Sequence, residues 1–258
     1  MGYRWEGFKK VRNQVCKRIA GRLEKLRIRG ISQYREFLNT HPEEWEKLDS
    51  LCYVSISRFF RDSGVFNFLQ NEIFPSLAKR ADESNKDHLR CWSVGSCSGE
   101  EPYTLSLLWK TQVAPGIDVP LPMEIVATER KGVLIKRALK ARYPESSVKD
   151  VPEKLLHTAF EKRDKEYMLK ERFRLGITFF RQDIRESEPQ GEFHLILCRN
   201  LVFTYFQEEA QLSVMSRLIR KLRSEGFLVI GAHESLPDEH SDLTVYAGSY
   251  GIYRKDTE

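Results

Sequence analysis

Residues 89–110, LRCWSVGSCSGEEPYTLSLLWK, decide the fold. LRCWSV is a short apolar run closed by turn residues and predicts a strand; YTLSLLWKTQ (103–112) predicts a helix. Between them Gly95 and Gly99 bracket a tight turn, where the missing side chains let backbone approach a ligand. Ser98-x-x-Glu101 has the spacing of a capping box, with Pro102 just inside the helix. Glu100 is left over from that box. It stands in the first helical turn beside the strand end, where a carboxylate can hold a ligand's ammonium group. The spacing is not GxGxxG, which argues against phosphate binding of the dinucleotide kind.

Downstream the alternation continues. MEIVAT (123–128) reads as a strand, VLIKRALKARY (133–143) as a helix, and GITFFRQDI (176–184) and FHLILC (193–198) as strands. EEAQLSVMSRLIRKLR (208–223) is a helix with Leu212, Met215, Leu218, Ile219 and Leu222 inward. Ser224-Glu225-Gly226 turns it into the strand FLVIGA (227–232), and DLTVYAGSYGIYRK (242–255) reads as antiparallel strand material. Such an order implies an α/β fold with a mostly parallel, doubly wound sheet, whose ligands bind at the carboxyl ends of the strands. Polar groups stand at those ends. Glu129 can accept bonds from ribose hydroxyls or serve as a helix-start carboxylate. Asp183, in Gln182-Asp183-Ile184, can face an adenine amino group or cap a turn. Cys198-Arg199-Asn200 closes an apolar strand abruptly with two strong hydrogen-bonding groups.

Upstream, residues 1–55 read as a helical domain and 56–88 as a linker with one helix (65–77); 89–258 form the sheet domain. Val11, Val15, Ile19, Leu23 and Leu26 make one helical stripe that ends at Arg29-Gly30. SQYREFLNT (32–40) is a second helix, capped by Ser32. HPEEWEKLDSLCYV (41–54) is a third, with Pro42, Glu43 and Glu44 in its first turn and Trp45, Leu48, Leu51 and Cys52 inward. The net charge is +5, and residues 1–30 carry ten Lys/Arg against two acids. That patch suggests an acidic partner or a solvated helix face. Five scattered cysteines without a CxxC pair argue against disulfides or a zinc site and fit a reducing cytoplasm. No stretch is apolar enough for a signal peptide or a membrane span.

ISRFFRDSGVF (56–66), WSVGSCSGEEPYTLSLLW (92–109), FHLILCRNLVFTYF (193–206) and SRLIRKLRSEGFLVIGAHESL (216–236) together resemble the CheR family of chemotaxis-receptor glutamate O-methyltransferases; KRIAGRLEKL and SQYREFL resemble its front helical domain. The resemblance implies a class I (Rossmann-like) methyltransferase sheet and S-adenosylmethionine as cofactor, with S-adenosylhomocysteine as product. By that likeness Glu100 binds the methionine ammonium, Glu129 the ribose, and Asp183 and Ile184 the adenine. Gly95, Arg199 and Asn200 line the cleft, Ser55, Ser57 and Arg61 reach in from the linker, and Arg61 and Tyr205 serve the transfer itself. It further implies a small β-subdomain at about 143–176, here with a hairpin around Arg163-Asp164-Lys165. The chain departs from the family pattern at Glu129, usually Asp, at Ser55-Ile56-Ser57, usually Asn-x-Thr, and at Asp183-Ile184, usually Asn-Leu. CRNLVFTYF is also one residue longer before its Tyr-Phe pair.

A glutamate acceptor is already ionised at neutral pH and needs no general base, so His194, His233, Cys97 and Cys198 read as structural. The expected partner is the acidic helical surface of a protein such as a chemoreceptor, met by the basic front domain in the cytoplasm. No oligomer is indicated. Two alternatives remain: a methyltransferase for a small-molecule carboxylate or RNA, and a non-catalytic cofactor-binding regulator. The lack of an NPPY-type motif disfavours base methylation, and the lack of aromatics among the basic residues disfavours a nucleic-acid channel.

Overall fold

The computed structural model describes residues 2–83, 88–117, 121–237 and 242–256; residues 84–87 of the polar linker lie outside it. The chain divides into two compact units, one of Met1–Ile56 with Thr204–Gln207, the other of Ser57–Phe203 with Glu208–Glu258. Among the described residues no helix is long and apolar enough to cross a membrane.

The first unit is helical. A 3-10 turn, Trp5–Val11, runs into α1 (Arg12–Leu26), which the left-handed Arg27 closes, short of Arg29-Gly30. In α2 (Ile31–Thr40) the N-cap is Gly30 rather than the expected Ser32, which lies inside the helix. In α3 (Pro42–Cys52) Pro42 opens the helix as its fixed φ favours. The inward face is not the expected one. Trp45 is 43% exposed, its indole N–H donating to the Leu38 carbonyl at 3.0 Å, whereas Glu44 is 3% exposed. Glu44 accepts from Arg22 Nε (2.9 Å) and Nη2 (2.5 Å) and from the Tyr34 hydroxyl (2.8 Å), so its charge is met on both oxygens. Arg18 donates to the carbonyls of Leu51 and Tyr53, at 3.3 and 2.7 Å. Arg18 and Arg22 of the front cations thus hold the unit together, as does Arg4, whose Nε donates to the Thr204 carbonyl at 3.0 Å.

Thr204–Gln207 join this unit through backbone bonds, Arg4 N–H to the Tyr205 carbonyl (2.9 Å) and Gln207 N–H to the Gly2 carbonyl (2.7 Å). A Cβ on Gly7 would stand 2.1 Å from the Thr204 carbonyl oxygen, an approach that only glycine allows.

The second unit opens with α4 (Ser63–Phe68), a π-helical turn and α5 (Phe74–Glu83). It continues through β1 (Leu89–Val94), α6 (Glu100–Leu108), β2 (Met123–Glu129), α7 (Gly132–Lys140), β3 (Arg142–Pro144), α8 (Glu145–Val148), α9 (Glu153–Ala159), β4 (Phe160–Arg163), β5 (Glu166–Leu169), β6 (Ile177–Arg181) and β7 (Phe193–Cys198). Then come α10 (Val202–Tyr205), whose last two residues belong to the first unit, α11 (Glu208–Lys221), β8 (Leu222–Ile230), β9 (Leu243–Ala247) and β10 (Ile252–Lys255).

The main sheet runs β6-β2-β1-β7-β8-β10-β9. Its first five strands are parallel, and β10 and β9 are antiparallel. Strand order reverses between β1 and β7, so the crevice of a doubly wound sheet falls at their carboxyl ends. β1 and β7 are buried along nearly their whole length, as central parallel strands covered on both faces must be. α6 is buried on nearly every side, with Leu105 and Leu107 at 0% exposure; each such leucine contributes about 2 kcal/mol.

Three local expectations give way to long-range partners. α6 is capped by Gly99, with no side-chain bond, not by a Ser98–Glu101 box: Glu101 is drawn away by Ser93 and Arg199. α7 stops at Lys140 because Ala141 turns left-handed (φ 50°) and Arg142–Pro144 enter a second sheet, β3-β5-β4. Ser224-Glu225-Gly226 is an irregularity within β8, with Glu225 at φ 57°, rather than a separate turn. In the second sheet Asp164 (φ 54°) lies in the turn between β4 and β5.

Candidate active site

The loop after β1 alternates left-handed residues, Gly95 (φ 67°), Cys97 (φ 52°) and Gly99 (φ 90°). A Cβ on Gly95 would come within 2.5 Å of the Leu201 side chain, and one on Gly99 within 2.9 Å of Tyr103 and 3.0 Å of Ala138. Glycine is therefore required at both by conformation and by space. Glu129, 1% exposed at the end of β2, stitches the loop down: its oxygens accept the N–H groups of Cys97 (3.1 Å) and Lys131 (2.7 Å). From below, Tyr143 of β3 donates its hydroxyl to the Ser98 carbonyl at 2.7 Å. The second sheet is thereby fastened to the loop.

Glu100 is 2% exposed and opens α6. Burial pushes its pKa up, opposed by hydrogen bonds from backbone N–H groups and the Ser57 hydroxyl. Its Oε2 is buried with no partner among the described residues, and so is Ser96 Oγ in the loop. An unsatisfied buried carboxylate oxygen costs about 1–3 kcal/mol or more, so this position favours a cationic donor.

Asp183, after β6, contrasts with it. Arg185 donates to its carboxylate from Nε (3.0 Å) and Nη2 (2.6 Å), and Arg130 Nη1 lies 3.7 Å away. Burial pushes this carboxyl up, but the Arg185 bonds and the two guanidinium charges outweigh it, and the pKa lies below the ordinary aspartate value. Ile184 beside it is buried.

At the end of β7 the Arg199 side chain is 2% exposed and donates to Asp62 Oδ2 (2.8 Å), the Arg61 carbonyl (3.0 Å) and Glu101 Oε2 (3.2 Å). Asn200 is left-handed (φ 54°). Its N–H and that of Gly231 converge on one oxygen, Oε2 of Glu234, at 2.8 and 2.6 Å, tying the ends of β7 and β8 together. Nothing in the spacing singles out Glu234; its only sign is a place just past a strand end.

Bonds within the second unit thus link Ser57 to Glu100, Gly95's loop to Glu129, and Arg61 to Arg199. β2 and β6 pair in register Glu129↔Arg181, which sets the ends carrying Glu129 and Asp183 side by side. Ser55 and Tyr205 belong to the helical unit; Ser55 is exposed, and the Tyr205 ring packs on Phe8 with centroids 5.1 Å apart. Of the residues expected to be structural, His233 is exposed. His194 accepts the Arg90 N–H on Nδ1 at 3.0 Å, while burial pushes the Cys97 thiol up to about 12 and Cys198 well above its usual value.

Residues 55–252 match the family described as "CheR methyltransferase, SAM binding domain". A chemotaxis protein methyltransferase of Listeria monocytogenes is 28% identical over 86% of this chain and 81% of its own length. One of Borreliella burgdorferi is 27% identical over 82% and 77%, and chemotaxis protein methyltransferase 1 of Pseudomonas aeruginosa 29% over 76% and 72%. The geometry fits the S-adenosylmethionine in that family description. The orphaned Glu100 oxygen, buried at the start of α6 beside the end of β1, suits its ammonium group. The chain belongs to the CheR methyltransferase family and is an S-adenosylmethionine-dependent methyltransferase.

Proposed function

We propose that this methyltransferase esterifies glutamate side chains on a cytoplasmic chemoreceptor-type protein. What carries the reading to this acceptor is the exposed charge left on residues 9–29 of the helical unit. Lys9, Lys10, Lys17, Lys25, Arg27 and Arg29 are exposed, while Arg18 and Arg22 are engaged within the unit. Exposed cations of this number favour the acidic face of a helical substrate and speed the encounter. The names of the relatives point the same way.

In this reading Glu100 holds the cofactor's ammonium group and the Glu129 carboxylate takes the ribose hydroxyls. Asp183 and Ile184 meet the adenine, and Gly95, Asn200, Ser55 and Ser57 complete the binding surface. The cofactor supplies a methyl group on a positively charged sulfur. Arg61 pairs with the incoming carboxylate and aligns it, and Tyr205 lies near the transferred methyl. No side chain has to remove a proton, because the acceptor is already an anion. The protein's contribution is alignment and exclusion of water as opposite charges neutralise each other. The high thiol pKa values of Cys97 and Cys198 agree with this, since neither supplies a thiolate at neutral pH.

The test is transfer of tritiated methyl from S-adenosylmethionine to chemoreceptor-bearing membranes, followed by mild base. Methyl esters release volatile methanol under base. A base-stable label refutes the glutamate acceptor.

A further inference from the structure

The segment Ser57–Asp62 is fastened to the cofactor loop and its helix. Ser57 bonds Glu100, and the Phe60 N–H donates to Thr104 Oγ at 3.3 Å. Two of its residues, Phe60 (φ 54°) and Asp62 (φ 60°), are left-handed, and Arg61 stands between them. A bulky residue such as Phe keeps that conformation only when its surroundings hold it there.

Arg199 supplies the hold. Its Nη2 donates to both the Arg61 carbonyl (3.0 Å) and Asp62 Oδ2 (2.8 Å), and its Nη1 to Glu101 Oε2 (3.2 Å). Glu101 is itself fixed by the Ser93 hydroxyl at 2.8 Å. The guanidinium carbon lies 5.1 Å from the centre of the Phe66 ring. The planar fork thus spans a backbone carbonyl, two carboxylates and an aromatic face, which a lysine's single point charge cannot do. Both terminal nitrogens are engaged inside the protein.

We propose that Arg199 is a positioning residue: it fixes the left-handed turn that presents Arg61, and it serves methyl transfer through Arg61 rather than by touching the cofactor. This rests on the reading of Arg61 as the partner of the reacting carboxylate.

The test compares the full chain with Arg61→Ala, Arg199→Lys and the double variant. For each, kcat with receptor, Kd for S-adenosylhomocysteine and the melting midpoint are measured. Arg199→Lys is expected to lower kcat by about 10- to 100-fold, as a misplacement of about 1 Å does, with Kd unchanged within about twofold. Because both changes break one device, the double variant is expected to match Arg61→Ala rather than multiply the two losses. Multiplying losses, or a Kd that weakens in step with kcat, overturn the inference. Full activity in Arg61→Ala overturns the reading beneath it and the inference with it. If Arg199→Lys does not fold, Asp62→Asn serves instead, since this side chain is 38% exposed and Asn tolerates a left-handed backbone. It is expected to lower kcat alone, again without further loss on the Arg61→Ala background; an unchanged kcat overturns the proposal.

Discussion

Glu44 of the helical unit and Glu100 of the sheet unit are both buried, and the two are treated in opposite ways. Glu44 of the helical unit is 3% exposed, and its pKa is lowered, first by the Arg22 hydrogen bonds and further by the Tyr34 hydroxyl and the Arg22 charge. Glu100 of the sheet unit is 2% exposed, and its pKa is raised by burial, with Oε2 unpartnered. Burial alone therefore says nothing about role. A buried acid with all its partners in the chain serves stability, whereas one left short of a partner is set for a ligand.

The sharpest way to break that contrast is Glu100→Gln. Losing a charge-assisted bond to an ammonium group costs about 1.5–3 kcal/mol, or about 10- to 150-fold in cofactor affinity by calorimetry. The unliganded protein is expected to lose little stability, because an amide oxygen can still accept from the Ser57 hydroxyl and the backbone N–H groups while the cost of burying a charge is removed. The pH dependence has a definite sign. An acid whose pKa is higher in the folded state holds an extra proton there, so Glu100's share of unliganded stability falls as pH rises from the unfolded value toward the folded one. A bound cation reverses this. The gain in melting temperature from S-adenosylhomocysteine should widen as pH rises through that window, and a gain independent of pH removes Glu100 as the ammonium site.

Glu44→Gln tests the other side. It removes the ion pair with Arg22 and is expected to destabilise the helical unit by about 1–2 kcal/mol. Faster hydrogen exchange across α1 to α3 would report this, with cofactor affinity unchanged. Glu44's pKa is lowered on folding, so its contribution is full above the unfolded pKa of about 4.3 and is lost as pH falls through the folded value. A cofactor affinity that falls together with exchange protection would erase the distinction between the two acids.

The sequence displays one member of this pair and hides the other. Glu100 stands out because it follows a strand and a glycine turn and is spare to any local cap. Glu44 looks like an ordinary first-turn acid, since periodicity near 100° per residue cannot decide between it and Trp45. The choice was made by Arg22 and Tyr34, on two other helices, and local patterning does not register such partners. The same limit accounts for the Ser98–Glu101 box, undone by Ser93 and Arg199, and for Glu234, whose task depends on two strand ends meeting. The central strands β1, β2, β7 and β8 were legible because each carries a continuous apolar run, whereas β3 was hidden in the expected helix 133–143 and β4 and β5 carry too many charges to show as strands. The sites that were not legible are those whose chemistry is completed from far along the chain.

Asp183 lies between the two glutamates in kind and should give the smallest effect. It stands at a strand end like Glu100, yet Arg185 and Arg130 satisfy it like Glu44. Its carboxylate is already met by cations, so an adenine amino group can add only a bond to a charge that is largely compensated. Asp183→Asn is therefore expected to weaken S-adenosylhomocysteine by about 3- to 5-fold, near the lower end of what one hydrogen bond contributes. Since the Asp183 pKa is lowered, the carboxylate stays ionised down through the ordinary aspartate range, and the wild-type affinity should show no Asp183-linked loss above that range. A loss as large as that of Glu100→Gln would mean that the arginines orient Asp183 for the ligand instead of consuming it, and it would place Asp183 on the Glu100 side of the comparison.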